Sequence, residues 1–332
     1  MTDRSTLAGV LEAFDLGEGT LSAGPVARGR LGEIWRLDST TGSWAVKTRG
    51  AGGSDPENEV DATAAFHEAA VSAGLPAPAV RRTRDGRLLA EVGGSRVGVL
   101  AWVDMAGPDP ALDPVAVGSV LAGLHCMPAA RFPGPVASAG PWEVRPWFHA
   151  PVGAAAWDQV IGRVVERGAP FAAALAAHRD ELVALEGLLA PPVDLLWCHR
   201  DLFCDNVRAT PDGGIVVFDF DNSGPCDPSW ELAFVLTEYA TDPAPTHAVV
   251  DTARAKALCD AYRSAGGPGR LTGPGDFTMV AAVLGHIAEL AATRWLDATT
   301  DAERSDTAAW VAELTDRPLT RQVIDHLLDA TR

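Results

Sequence analysis

Lysine is almost missing from this 332-residue chain: Lys47 and Lys256 are its only two, and arginine supplies every other basic side chain. Positive charge as a whole is short, with 27 Lys and Arg against 44 Asp and Glu and a formal net charge of −17. That deficit excludes nucleic acid and an anionic membrane surface as main partners, because both repel an acidic protein. An acidic surface draws cationic small molecules instead, and serves solubility equally well. No apolar run reaches the roughly 18 residues of a membrane span. The start, Met1-Thr2-Asp3-Arg4-Ser5, lacks the basic start and apolar core of a secretory signal, so none is expected. Five cysteines (Cys126, Cys198, Cys204, Cys226 and Cys259) form an odd set without metal-ligand spacing. They read as free thiols in a reducing cytoplasm.

What is present is ordinary globular material, 47% hydrophobic and 21% charged, long enough for two domains or one two-lobed unit. From about residue 20 to 102 the pattern is strand-rich. Short apolar runs at 25–27, 34–37 and 44–46 are split by glycine and polar turns. Residues 57–73 read as a helix stopped by Gly74, and strands at 87–91 and 96–102 flank Gly93-Gly94. After Gly107-Pro108 the texture turns helical, with predicted helices at 111–125, 154–167, 170–189, 229–239, 246–265 and 277–296. A β-rich insertion covers 195–198, 206–209 and 215–220. The expected class is α+β, with a small antiparallel-sheet lobe over 1–104 and a larger helical lobe over 105–332.

The strongest signal is Cys198-His199-Arg200-Asp201-Leu202-Phe203-Cys204-Asp205-Asn206, an H-R-D followed four residues later by Asn. It resembles the catalytic loop shared by protein kinases and by the aminoglycoside phosphotransferase and choline kinase family. The strand 215–221 ends in Phe218-Asp219-Phe220-Asp221, and Ser43-Trp44-Ala45-Val46-Lys47 resembles the V-A-I-K strand of kinases. Leu121-Ala122-Gly123-Leu124-His125 is similar to the family's L-A-x-L-H helix, and Gly224-Pro225-Cys226-Asp227-Pro228 to its G-x-x-D-P stretch. Here Asp227 reads as the cap of the helix beginning near Pro228.

The resemblance covers roughly residues 24–239 and implies a bilobal protein-kinase-like fold, with ATP or GTP and Mg²⁺ in a cleft. It implies a small-molecule kinase that phosphorylates an alcohol group. Asp201 would accept or orient the proton of the attacking hydroxyl, and Asn206 and Asp219 would hold the metal. Asp221 is a weaker candidate ligand. Lys47 would reach the nucleotide phosphates and pair with an acid on the 57–73 helix, Glu59 or else Glu68. Gly29 and Gly32 would cover the phosphates, and the backbone at Trp102 and Val103 would read the purine.

The family more often has H-G-D, and protein kinases follow their strand with D-F-G and later A-P-E, which this chain lacks. A protein acceptor is therefore not expected. A cationic acceptor, an aminoglycoside-like antibiotic or related natural product, leads. An amino alcohol or sugar follows, and a non-catalytic nucleotide-binding protein is the remaining reading. Candidate acids for a cationic acceptor are Glu238, Asp242, Glu289 and Asp297, and Trp142, Trp147, Phe148 and Trp157 are candidate walls.

Overall fold

The protein was analysed as a computed structural model that describes residues 4–29, 32–49, 57–131, 144–241, 249–316 and 318–332. Side chains of 4–5, 27–29, 32, 49 and 57–59 lie outside that description. The described residues fall into two compact units.

The first unit comprises the described residues of 1–107 together with Asn206–Ser223. Its centre is a seven-stranded antiparallel sheet: β1 (Gly19–Leu21), β2 (Ala27–Gly29), β3 (Gly32–Ser39), β4 (Gly42–Arg49), β5 (Val80–Arg81), β6 (Leu89–Val92) and β7 (Ser95–Ala101). The spine runs β1-β3-β4-β7-β5, with β2 on β3 and β6 on β7. Strand alternation sorts the two faces. Trp35, Leu37 and Val46 point to a core with Val10, Phe14 and Leu16, supplied by and just after helix α1 (Arg4–Ala13). Ile34, Ala45 and Lys47 take the other face, with Lys47 opposite Ile34 on one side and Gly98 on the other. Helix α2 is Glu57–Ser72, within a residue of its predicted end. The expected five-strand sheet with one helix thus gains α1, β1 and β5, and the strand expected at 25–27 is β2. The added strands are only two or three residues long, too short to show a period-two pattern.

The second unit holds the described residues of 108–205 and 224–332. It is built of α3 (Pro114–Cys126), α4 (Ala154–Glu166), α5 (Ala172–Glu186), α6 (Pro228–Tyr239), α7 (Thr252–Ser264), α8 (Thr278–Asp297), α9 (Asp301–Asp316) and α10 (Arg321–Thr331). Strands β8 (Leu196–Cys198) and β11 (Gly224–Cys226) pair antiparallel within it. Strands β9 (Val207–Ala209) and β10 (Ile215–Val217) form the hairpin that belongs to the first unit. The region expected as a single lobe at 105–332 therefore contributes this hairpin to the other body. Helix starts follow local chemistry. Asp113 and Asp227 accept hydrogen bonds from Val115 and Ser229 N–H, each ahead of a proline at the first helical position. Helix α8 is long and apolar enough to cross a membrane by length and composition, but 61% of its apolar window is buried inside the protein. It is a core helix.

Candidate functional site

The His199–Asn206 loop leaves β8 beside β11. Arg200 adopts a left-handed backbone (φ 65°), as does Asp219 (φ 61°), while Asp15 is the third such non-glycine residue among those described. A side chain in this region costs on the order of 1 kcal/mol, which glycine avoids. That cost explains why a glycine suits this position in H-G-D. Arg200 offsets it through its buried guanidinium, which lies 4.3 Å from the Phe148 ring centre and donates to the Pro225 carbonyl at 3.3 Å. Gly224 leaves room for that group, since a Cβ there would stand 2.7 Å from Arg200 Cζ. Burial lowers the Arg200 pKa to about 10, with the Arg145 charge adding to the effect, so the group stays cationic at neutral pH.

Helix α6 grips the loop along one stripe. Glu231, fully buried, accepts from the backbone N–H of Arg200 and from that of His199 at 3.3 Å. One turn on, the Phe234 ring meets Phe203 at 4.6 Å, edge to face. Another turn on, Glu238 Oε1 accepts from Cys204 N–H at 2.9 Å. Positions 231, 234 and 238 share one face of a 3.6-residue helix, so three contacts fix one loop.

Glu231 is anchored from behind. His125 Nε2 sits 2.7 Å from Glu231 Oε2, and His125 Nδ1 2.7 Å from the Tyr262 hydroxyl, which accepts from Gly269 N–H at 2.8 Å. With Tyr262 donating to Nδ1, the network assigns the His125 proton to Nε2, donated to Glu231. Burial pushes the Glu231 carboxyl upward, but the hydrogen bonds from His125 and from the Arg200 N–H act the other way and the net shift is downward. Its pKa ends below the usual 4.5, so Glu231 is anionic at neutral pH.

In the first unit, Lys47 Nζ lies 2.7 Å from both Asp219 Oδ1 and Asp221 Oδ2. Burial lowers the lysine's pKa, yet the Asp221 and Asp219 charges outweigh it and the net shift is upward. The αL turn at Asp219 lets residues 219 and 221 face Lys47 while Phe220 goes the other way. Phe220 stacks on His67 of α2 at 4.1 Å, nearly parallel at 8°. Asn206 is buried, and its carbonyl accepts from Phe218 N–H at 3.1 Å, closing the hairpin. Beside Lys47 and Asp219 is a pocket of about 130 Å³, walled by Ile34, Ala45, Val60, His67 and Leu100.

Residues 22–268 match the phosphotransferase enzyme family. The chain belongs to that family. Three solved structures show the fold it shares. One is an amicoumacin kinase (TM-score 0.65, 14% identity), covering 98% of this chain and 97% of its own. The second is an aminoglycoside phosphotransferase from Alicyclobacillus acidocaldarius (0.58, 15%, 96% and 93%). The third is a microcompartment-associated aminopropanol kinase (0.57, 16%, 93% and 94%). No curated protein sequence matches the chain. The protein is thus a phosphotransferase of kinase-like fold that takes an alcohol group of a small molecule as acceptor.

Within this phosphotransferase, Lys47, Asp219 and Asp221 come together in the first unit, with Asn206 at the root of the same hairpin. The lysine's expected helix partner is not Glu68, whose carboxylate receives two hydrogen bonds from Arg82, both 2.7 Å. The Glu59 side chain lies outside the described residues. Gly29 and Gly32 face each other across the β2–β3 hairpin. Trp102 N–H donates to Ser43 O at 2.9 Å and its indole to Asp104 at 2.8 Å, while Val103 is half-buried.

The acceptor acids do not form one cluster among the described residues. Glu238 is bonded to the loop, Glu289 to Thr293 of its own helix at 3.0 Å, and Asp297 lies 4.0 Å from Arg163. Asp242 and Trp142 are outside the described residues. Trp157 is packing, fully buried with its indole on Glu186 at 2.8 Å. Phe148 is buried under Arg200, and Trp147 remains 37% exposed. Sequence reasoning gave no role to Glu231 and His125. The available signal was an acid and a histidine set in otherwise apolar helices, where a buried charge needs a partner.

Proposed function

We propose that the protein transfers the γ-phosphate of ATP or GTP, with Mg²⁺, to a hydroxyl of a small cationic acceptor resembling an aminoglycoside-type antibiotic. The pairing of Lys47 with Asp219, residues 172 apart in sequence, carries this reading: it joins a lysine suited to nucleotide phosphates to an acid suited to a metal. Asp201 is the group that takes or orients the hydroxyl proton, on a loop whose backbone Glu231 and Glu238 hold.

The donor set fits Mg²⁺. Asn206, Asp219 and Asp221 offer hard oxygen atoms, and the two carboxylates already gather around a cation, the Lys47 ammonium. Asn206 and Asp219 would hold the ion, which when bound neutralises charge on the transferring phosphate. Lys47 orients the phosphates, and the apolar pocket beside it excludes water from the base.

On the acceptor side, Trp147 stacks on His286 (5.0 Å, 18°) and adjoins Phe148, whose ring carries Arg200, next to Asp201. This supports an aromatic surface beside the reacting hydroxyl. The net charge of −17 favours a cationic acceptor. An amino alcohol is the second acceptor class, supported by the fold shared with aminopropanol kinase. Five thiols without disulfides fit work in the cytoplasm. The test is Mg²⁺-dependent nucleotide consumption across aminoglycosides, other cationic antibiotics, amino alcohols and sugars. Turnover with an antibiotic supports the reading, turnover with an amino alcohol alone replaces its acceptor class, and turnover with none contradicts it.

A further inference from the structure

We propose that Asp221 is the positioning residue of Lys47, taking the part that a helix glutamate plays in related kinases; this rests on the nucleotide reading above. The ammonium has two partners among the described residues, and both come from one turn, Asp219 and Asp221, each at 2.7 Å. Lys47 is 23% exposed, so these bonds form with little competing water.

Helix α2 packs against the same turn, among the described side chains through rings. His67 stacks flat on Phe220, and the Phe66 ring approaches it at 6.0 Å. Of the helix's four acids, Glu68 is held by Arg82. Phe220 is buried between the two acids in sequence. The αL conformation of Asp219 turns the chain so that this ring locks under α2 while both carboxylates face Lys47. The helix thereby fixes the lysine indirectly, by clamping the turn that holds it.

An ammonium has three N–H donors. Two are committed to Asp219 and Asp221, which among the described residues leaves one for a phosphate oxygen. Two fixed acceptors aim that third donor, whereas Asp219 alone would let the long side chain rotate. Asp221 therefore acts through Lys47 and need not touch the nucleotide.

The chain's two lysines make a direct test practical. Protein labelled with ¹³Cε-lysine gives one resonance each for Lys47 and Lys256, assigned with Lys256→Arg. Asp221→Asn, nearly isosteric, should displace the Lys47 resonance in nucleotide-free protein, and Asp221→Glu should restore part of the displacement. Glu59→Gln should leave it in place. In steady-state nucleotide consumption with water as acceptor, Asp221→Asn should lower turnover about tenfold and shift the nucleotide KM by less than about threefold. A Lys47 resonance that moves in Glu59→Gln and not in Asp221→Asn overturns the proposal, as does a variant that changes KM alone. Should neither ATP nor GTP bind the wild-type protein, the nucleotide reading falls, while the resonance still decides whether Asp221 holds Lys47.

Discussion

Replacing Glu231 is the sharpest structural perturbation available. Glu231→Ala strips the acceptor from three buried donors: His125 Nε2–H and the N–H groups of His199 and Arg200, in residues that are 2%, 0% and 3% exposed. An orphaned buried donor costs about 1–3 kcal/mol, and breaking a buried charged network about 3–5 kcal/mol, so a loss of about 3–5 kcal/mol is expected. That is a large part of a typical stability of about 5–15 kcal/mol.

Glu231→Gln should be milder. Its amide oxygen can still serve Arg200, and its NH₂ can donate to His125 Nε2 once the imidazole shifts its proton to Nδ1 and turns that bond toward Tyr262. One donor, His199 N–H, is left over, for a cost of about 1–3 kcal/mol. Urea unfolding followed by circular dichroism orders the three proteins by midpoint. The pH dependence has a definite sign. The carboxyl titrates lower in the folded state than its usual 4.5, so its stabilisation is present above that value and disappears as acid carries the pH through the folded-state pKa. The gap between wild type and Glu231→Gln should hold at neutral pH and narrow only in acid. An alanine variant that unfolds with the wild type, or a glutamine variant as damaged as alanine, would refute the anchoring role.

Three further outcomes are expected. Gly118→Ala, whose Cβ would press on the Leu258 carbonyl where α3 crosses α7, should cost about 1–3 kcal/mol in thermal unfolding and leave nucleotide affinity unchanged. Gly224→Ala should push the Arg200 guanidinium off the Phe148 ring and lower turnover more than nucleotide binding; equal effects on both would argue against Arg200 as a support of the loop. Trp147→Ala should raise the acceptor KM by about tenfold, the worth of one lost stacking contact, with the nucleotide KM unmoved.

Much of the candidate site can be named from the sequence because its residues are local and chemically conspicuous. His199, Asp201 and Asn206 sit within one short loop, Asp219 follows an apolar strand, and Lys47 stands out in a chain with one other lysine. Helices with strong caps, such as the one begun by Asp227-Pro228, were equally readable. What escaped depends on long-range geometry. Lys47 meets two acids of the hairpin, Asp219 and Asp221, and no spacing rule links residues so far apart. Glu238 reads from the sequence as a candidate acid for the acceptor, and only the turn of α6 shows it bonded to Cys204 N–H. Short strands such as β5, two residues long, owe their existence to the neighbour they pair with.

The central claim is that Asp201 serves phosphoryl transfer in a protein that binds nucleotide independently of it. The most direct measurement compares wild type and Asp201→Ala for nucleotide affinity by calorimetry and for acceptor-dependent nucleotide consumption. The account predicts affinities within about threefold of each other and a turnover loss of about 10²–10⁴-fold in the variant. Undiminished turnover in Asp201→Ala would contradict it.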